Sequence, residues 1–283
     1  MTDAFAGRLI SLPEAHGHAD VPGDWFTAAV FAAPFLFAAV AYLAAAAVQS
    51  RRGSPWPLSR CGFWLAGITL AASGFVGPLA EAAHGSFVAH TLAHVLVGMA
   101  APVLLVAAAP VTLALRTLSV VPARRLSRVL RGPLGRTFGN PIVTLLLNIG
   151  GLWVLHTTPL YELSQANALV HVVVMAHFLI AGFLFTASVV PVDPAPHRSP
   201  LGVRAGVLLA AIAGHGILAK LLAASPPTGV GAGEALAGAQ LMFYAGDAVD
   251  LALLVALGAE WYRSEGRRMR RAAHPITVRG GAT

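Results

Sequence analysis

Residues 84–110 read HGSFVAHTLAHVLVGMAAPVLLVAAAP, three histidines leading into a long apolar run. A bilayer core of about 30 Å takes about 20 apolar helical residues, so the stretch reads as a membrane span with histidines at one mouth. His90 and His94 stand four residues apart. On a helix that is about 40° of rotation and roughly 6 Å of rise, so both imidazoles project from one face, one turn apart. Chelating pairs use this spacing. The competing reading is a pair of hydrogen-bonded packing residues, and the placement of the other histidines bears on the choice.

Working outward, the 283 residues are 57% hydrophobic and 11% charged, with a mean hydropathy of +0.71. That is too apolar for a soluble domain of this size. The fold class is all-α, a polytopic membrane protein. Seven spans are expected, near 25–48 (with Pro34 as a kink), 58–79, 87–116 (bent by Pro102 and Pro110), 141–156, 168–190, 201–223 and 235–262. The chain divides into a tail at 1–24 carrying His16 and His18, a seven-helix transmembrane domain at 25–262, and a basic tail at 263–283. Residues 1–24 hold no apolar core of signal-peptide length. The single Cys61 excludes a disulfide framework or a thiolate metal site within one chain.

The net charge of +7 resides in connections between apolar runs, among them Arg124, Arg125, Arg128, Arg131 and Arg136. It therefore reads as topology and contact with anionic lipid, with no nucleic-acid partner. If the N-terminus is outside, 17 of the 19 Lys and Arg residues fall on the inner side, all but Arg8 and Lys220. The expected orientation is N-terminus outside and C-terminus cytoplasmic.

Ionisable groups at membrane depth mark functional pathways. In this topology His90, His156 and His171 lie within roughly 5 Å of the outer boundary and His94 about 10 Å down, with His84 in the loop above. His177, His215 and Asp247 fall near the midplane, and Asp250 a turn further in. Lys220 is placed to snorkel outward. Met175 shares a face with His171, although methionine commonly fills core gaps, and Met99 and Met242 carry the same reading. His156 has a capping role open to it at the end of its span. His177 stands about 120° around the helix from His171 and need not share its site. Lys220 is a structural partner for Asp247 or Asp250. Gly98, Gly150, Gly151, Gly182 and Gly214 suit close helix contact. Imidazole donors suit copper, zinc, iron and nickel, and thioether favours Cu(I), so the residues point to a transition metal or a proton, with copper first.

Several segments together resemble a known family. HTLAHVLVGMAAPVLLVAAAPVTLALR (90–116) resembles the His-rich span of the multi-span cytochrome c oxidase assembly proteins called CtaG, of the caa-type oxidase branch. NPIVTLLLNIGGLWVLHTTPLYE (140–162) is similar to that family's Trp-x-x-His-x-x-Pro ending, which maps to His156 and Pro159. HVVVMAHFLIAGFLF (171–185) with VDPAPHRSP (192–200) matches its paired histidines and Asp-Pro-x-Pro turn, at His171, His177, Gly182 and Asp193. His215, in AGHGILAKLL (213–222), matches the histidine of span six. One departure is Ala239-Gln240 where many members have Asp-Gln, which removes an acidic ligand there. The resemblance covers most of the chain. It implies a seven-helix bacterial plasma-membrane protein required to form active haem-copper oxidase and handling copper, with oxidase subunits or copper-delivery proteins as partners.

The expected function is thus oxidase assembly, with copper held by His90, His94, His171 and His177, supported by His156 and His215. Met175, Asp247, Asp250, Lys220 and His84 are secondary candidates. No nucleotide loop, nucleophile elbow or metalloprotease motif is present, so an enzyme is not expected. The rivals are a copper or proton transporter, served by the descent from His90 to Asp250, and a redox protein with haem between facing histidines.

Overall fold

The computed structural model describes residues 24–273, so His16 and His18, the tail before them and the end of the basic tail lie outside the described residues. Among the described residues every regular element is helical. The order is α1 (Asp24–Arg51), α2 (Leu58–Ala72), α3 (Pro78–Ala82), α4 (Phe87–Val95), a π-turn (Leu96–Ala100), α5 (Ala101–Ala107), α6 (Pro110–Thr117), α7 (Val120–Arg131), α8 (Pro133–Phe138), α9 (Pro141–Leu145), a second π-turn (Leu146–Gly150), α10 (Gly151–Thr157), α11 (Leu160–Ala166), α12 (Ala168–Val189), α13 (Leu201–Ala224) and α14 (Ala232–Ala273).

Five segments are long and apolar enough to cross a membrane: Trp25–Arg51, Phe87–Ala107, Ala168–Val189, Leu201–Ala224 and Ala232–Arg267. Pro141–Thr157 with Leu160–Ala166, bent by 79°, makes a sixth. Against the expected seven, α2 is the difference. It has 15 residues and stops at Ala72, and the chain turns through Gly77 (φ 84°) before Pro78 starts α3. Gly77 supplies a backbone conformation that a side chain would strain.

The long third span is also not one helix to Arg116. A residue preceding proline is disfavoured in the α region, and Pro110 has no N–H to continue the ladder. Ala109 accordingly sits at φ 53°, and α6 starts afresh with Pro110 at its first position. The break is held from outside. Tyr42 Oη donates to the Ala108 carbonyl (2.7 Å) and accepts from Trp56 Nε1 (2.9 Å). Asp193 takes the opening amides of α6, Val111 N at 3.1 Å and Thr112 N at 2.7 Å, and accepts from the Thr112 hydroxyl at 2.6 Å. A carboxylate there satisfies orphan donors and meets the positive end of the helix dipole.

The rod made by α4, the first π-turn and α5 is the hub, packed by α2, α12 and α14. By contrast α1 packs on α2 and α6 and leaves Trp25, Phe26, Val30, Leu36, Phe37 and Val40 exposed, as suits a lipid-facing helix. The two ends of the bundle differ in chemistry. At one end Arg52 donates to the Arg116 carbonyl (3.0 Å), His197 Nε2 to that of Arg131 (3.0 Å), and Glu260 binds buried Arg204 through two bonds (2.7 and 3.0 Å) as well as Arg198. At the other, Glu234 at the start of α14 accepts from Ser86 Oγ (2.8 Å) and Phe87 N (2.7 Å), pinning α14 to the start of α4. These are called below the arginine end and the histidine end.

Candidate functional site

Four histidines meet at the histidine end. His84 precedes α4, His90 lies on α4, His156 closes α10 and His171 opens α12. Their ring centroids stand at 4.6 Å for His84–His171, 5.9 Å for His90–His171 and 6.4 Å for His90–His156. Local caps aim the helices that carry them. Ser86 Oγ accepts from Ala89 N to start α4, and Asn167 Oδ1 accepts from Leu169 N and Val170 N to start α12. The 79° bend between α10 and α11 returns the chain over the site, bringing Tyr161 edge-on to His90 (5.1 Å) and stacked with His156 (5.8 Å, 20°).

Two of the rings are held by hydrogen bonds that select a tautomer. Assigned from its surroundings, the Gln165 amide places its nitrogen against the carbonyls of His84 (3.3 Å) and Ala83 (3.2 Å), to which it donates, and its oxygen against His90 Nδ1 (3.3 Å). His90 then carries its proton on Nδ1 and presents the lone pair on Nε2, which is buried without a hydrogen-bond partner. His156 Nδ1 donates to the Leu152 carbonyl (3.1 Å), so its lone pair is likewise on Nε2. His156 sits in the last turn of α10, but its bond runs one turn back to the Leu152 carbonyl and does not cap the final carbonyls. Orienting partners of this kind accompany ligating histidines. His171 is 3% exposed with neither nitrogen partnered.

A second group lies about a turn deeper. His94 and His215 face each other at 6.5 Å, and His94 rests on the edge of Phe178 (4.7 Å). All four of their nitrogens are buried and unpartnered. Gly246 makes room for His215, since a Cβ there would run into the imidazole. Asp250, 5% exposed, is on the same face of α14 one turn on.

Other expected participants fall elsewhere. His177 is exposed and turned away, with Nε2 donating to the Leu147 carbonyl (3.0 Å) in the second π-turn, so the structure does not bring it to His90, His94 or His171. The physical reason is angular, because six residues along α12 carry it to another face. Lys220 is exposed and sits over the Phe243 ring (5.5 Å), rather than pairing with Asp247 or Asp250. Met175 is fully buried core on α12, and Asp247 is half-buried. Of the glycines, Gly98, Gly151, Gly182 and Gly214 make close approaches, whereas Gly150 faces open space.

Can these residues hold a metal? An ion bonded to imidazole nitrogen lies about 3 Å from the ring centroid, so two rings sharing one ion stand about 5–6 Å apart. The His90–His171 separation meets that condition, and the buried lone pair of His90 is of the right type. No group of three or more His, Cys, Asp or Glu side chains among the described residues converges on one metal position. Among the described residues the site thus offers pairs of imidazoles at sharing distance and no closed tetrahedral cage. Haem has no such fit between His94 and His215, where the neighbouring cavity is about 20 Å³, the size of about one water.

Sequence reasoning did not single out Tyr161 and Gln165. They are four apart on α11 and so share a face, a spacing that signals a polar pair aimed one way.

The chain is 29% identical over 222 residues to an uncharacterized protein of Mycobacterium bovis and to one of Mycobacterium tuberculosis, matching 75% of this chain and 33% of each relative. An uncharacterized protein of Mycobacterium leprae is 26% identical over 200 residues, 68% of this chain and 30% of that one. The chain thus spans about a third of the length of these relatives. No solved structure matches it. The profile of the cytochrome c oxidase caa3 assembly factor family, CtaG, matches residues 40–264, so the hub, both histidine groups and the Asp193 turn all lie inside the match, and the chain belongs to that family.

Proposed function

We propose that the protein is a non-catalytic membrane assembly factor for a caa3-type cytochrome c oxidase, and that its histidine end takes up Cu(I) as cargo for the oxidase or for a copper-delivery partner. His90 and His171 form the primary pair. His84 is the exposed ring through which the ion arrives and leaves, and His156 and His94 are the neighbours on either side. The observation that carries this reading is the buried Nε2 of His90, held in ligating form by Gln165 yet without a partner of its own. The family supports the oxidase as the client, and the all-imidazole donor set supports a first-row transition ion, copper among them.

In this reading the histidine end faces outside and the arginine end faces the cytoplasm, following the distribution of basic residues. The test of cargo is copper content. Protein purified after expression with Cu(I) carries about one equivalent, and His90→Ala and His171→Ala each lose most of it at unchanged expression; full retention in both defeats the proposal. Orientation is checked separately by an impermeant thiol reagent on intact cells, in a Cys61→Ala background with one cysteine introduced beside Arg128. That cysteine should stay unlabelled until the cells are opened.

A further inference from the structure

The two π-turns are not scattered along the bundle. Gly98 in the first and Asn148 in the second line one cavity of about 20 Å³ at mid-bundle, together with Thr186 of α12, His215 of α13 and Asp250 of α14. π-turns are rare interruptions of a helix and concentrate at functional sites. Two of them around one small chamber, in two different spans, is a coincidence that packing alone does not require. A helix that bulges toward the centre also brings backbone close, and Gly182 admits it: a Cβ at that position would collide with the Gly98 carbonyl.

The chamber's walls carry polar groups that nothing in the protein satisfies. Asp250 is 5% exposed, and its Oδ2 has no hydrogen-bond partner. His215 is 2% exposed, and both ring nitrogens lack one. The carboxamide of Asn148 and the hydroxyl of Thr186 add both donors and acceptors. Leaving a carboxyl and an imidazole bare at membrane depth is costly, and an ionised carboxylate alone far more so. Lys220, the cation nearest in sequence to His215, points away onto Phe243 and supplies no counter-charge. A buried water requires about 10–15 Å³ of accessible volume and two to four polar partners. Both conditions are met here.

We propose that this chamber binds one structural water, which bridges the Asp250 carboxyl to the His215 imidazole and makes the two an acid–base pair sharing a single exchangeable proton. The proton balance is simple. The Asp250 O–H gives its proton to the water while the water passes one of its own to a His215 nitrogen, and the neutral pair becomes carboxylate and imidazolium with no change in total charge. Either form of the pair is overall neutral, and Asp247, half-buried on the same helix as Asp250, is the other carboxyl whose field reaches both groups. His94 stands against His215 at 6.5 Å with no hydrogen bond between the rings, so the pair is separate from the metal donors. The proposal does not depend on what the outer four histidines bind.

The wild-type chain provides the first test, in a density map of the purified protein that resolves ordered water. One peak within hydrogen-bonding distance of both Asp250 and His215 is expected. A chamber with no water peak, or one filled by side chains that have moved in, overturns the proposal. Infrared difference spectra supply the chemical test. The band lost in Asp250→Asn identifies the Asp250 group, and this band should shift in His215→Gln and on transfer to heavy water. A band unmoved in His215→Gln overturns it, whatever its shift in heavy water. Should His215→Gln fail to fold, Thr186→Val removes one wall contact with nearly constant shape, and the same shift is required of it.

Discussion

The two polar groups of this bundle sit about one helical turn apart and are built on opposite terms. At the histidine end two of the four rings are held by hydrogen bonds, His90 by Gln165, which also binds the carbonyls of His84 and Ala83, and His156 by the Leu152 carbonyl, and His84 itself is exposed. At mid-bundle His94 and His215 are held by packing alone, against Phe178 and over the glycine at 246, with every ring nitrogen unpartnered. The first kind of site can change ligands, because its supporting bonds survive when one ring swings. The second kind cannot exchange anything bulky, and its support is lost when a backbone contact is lost. The outer group is therefore expected to tolerate substitution structurally and fail chemically, and the inner group to do the reverse.

The largest expected effect tests the inner half of that contrast. Gly182→Val drives a branched side chain into the Gly98 carbonyl, which is backbone and cannot step aside. Overpacking costs about 1–3 kcal/mol even where side chains can give, so a loss of about 3 kcal/mol or more is expected. A thermal midpoint within a degree of wild type would mean that α12 and the first π-turn do not touch.

At the outer group His90→Ala and His171→Ala should remove most bound copper while shifting the thermal midpoint by only a few degrees. Their losses should not add, since the two rings act as one chelating unit. A double variant that loses copper in two independent steps would separate them into two sites and break the contrast.

Gln165→Leu isolates the tautomer. It removes the acceptor for His90 Nδ1 and leaves every ring in place, and loss of such an orienting partner weakens metal affinity by about 10–100-fold. The affinity is measured by competition with a Cu(I) chelator. Equal affinity in Gln165→Leu and wild type would show that the amide serves only the backbone.

The smallest effect has the opposite sign. Gly150 has helical dihedrals (φ −61°, ψ −42°) and open space where its Cβ would stand. Gly150→Ala should stabilise the fold by about 0.5–1 kcal/mol. A loss instead would mean that the second π-turn must flex.

Sequence by itself determined the all-helical class, the order of the apolar segments and the gathering of the arginines, and it singled out His84, His90, His94, His156, His171, His177 and His215 as candidates. These are properties of contiguous residues: partition into a bilayer sums along a single helix, and spacing of four places two side chains on one face whatever surrounds them. Tertiary structure decided which histidines meet. Rotation of α12 about its own axis, set by the glycine contact at Gly182 and the packing of Phe178, turns His171 inward and sends His177 to the Leu147 carbonyl. It also decided that the third span ends at Ala107. Pro110 permits that break, but Tyr42 and Asp193, 66 and 81 residues away in the contacts they make, are what satisfy it. The pairing of His90 with Gln165, 75 residues apart, follows from the 79° bend after α10. The physical reason is common to all three: a helix fixes the angles between its own side chains, whereas the angle it presents to its neighbours is chosen by packing across the whole bundle.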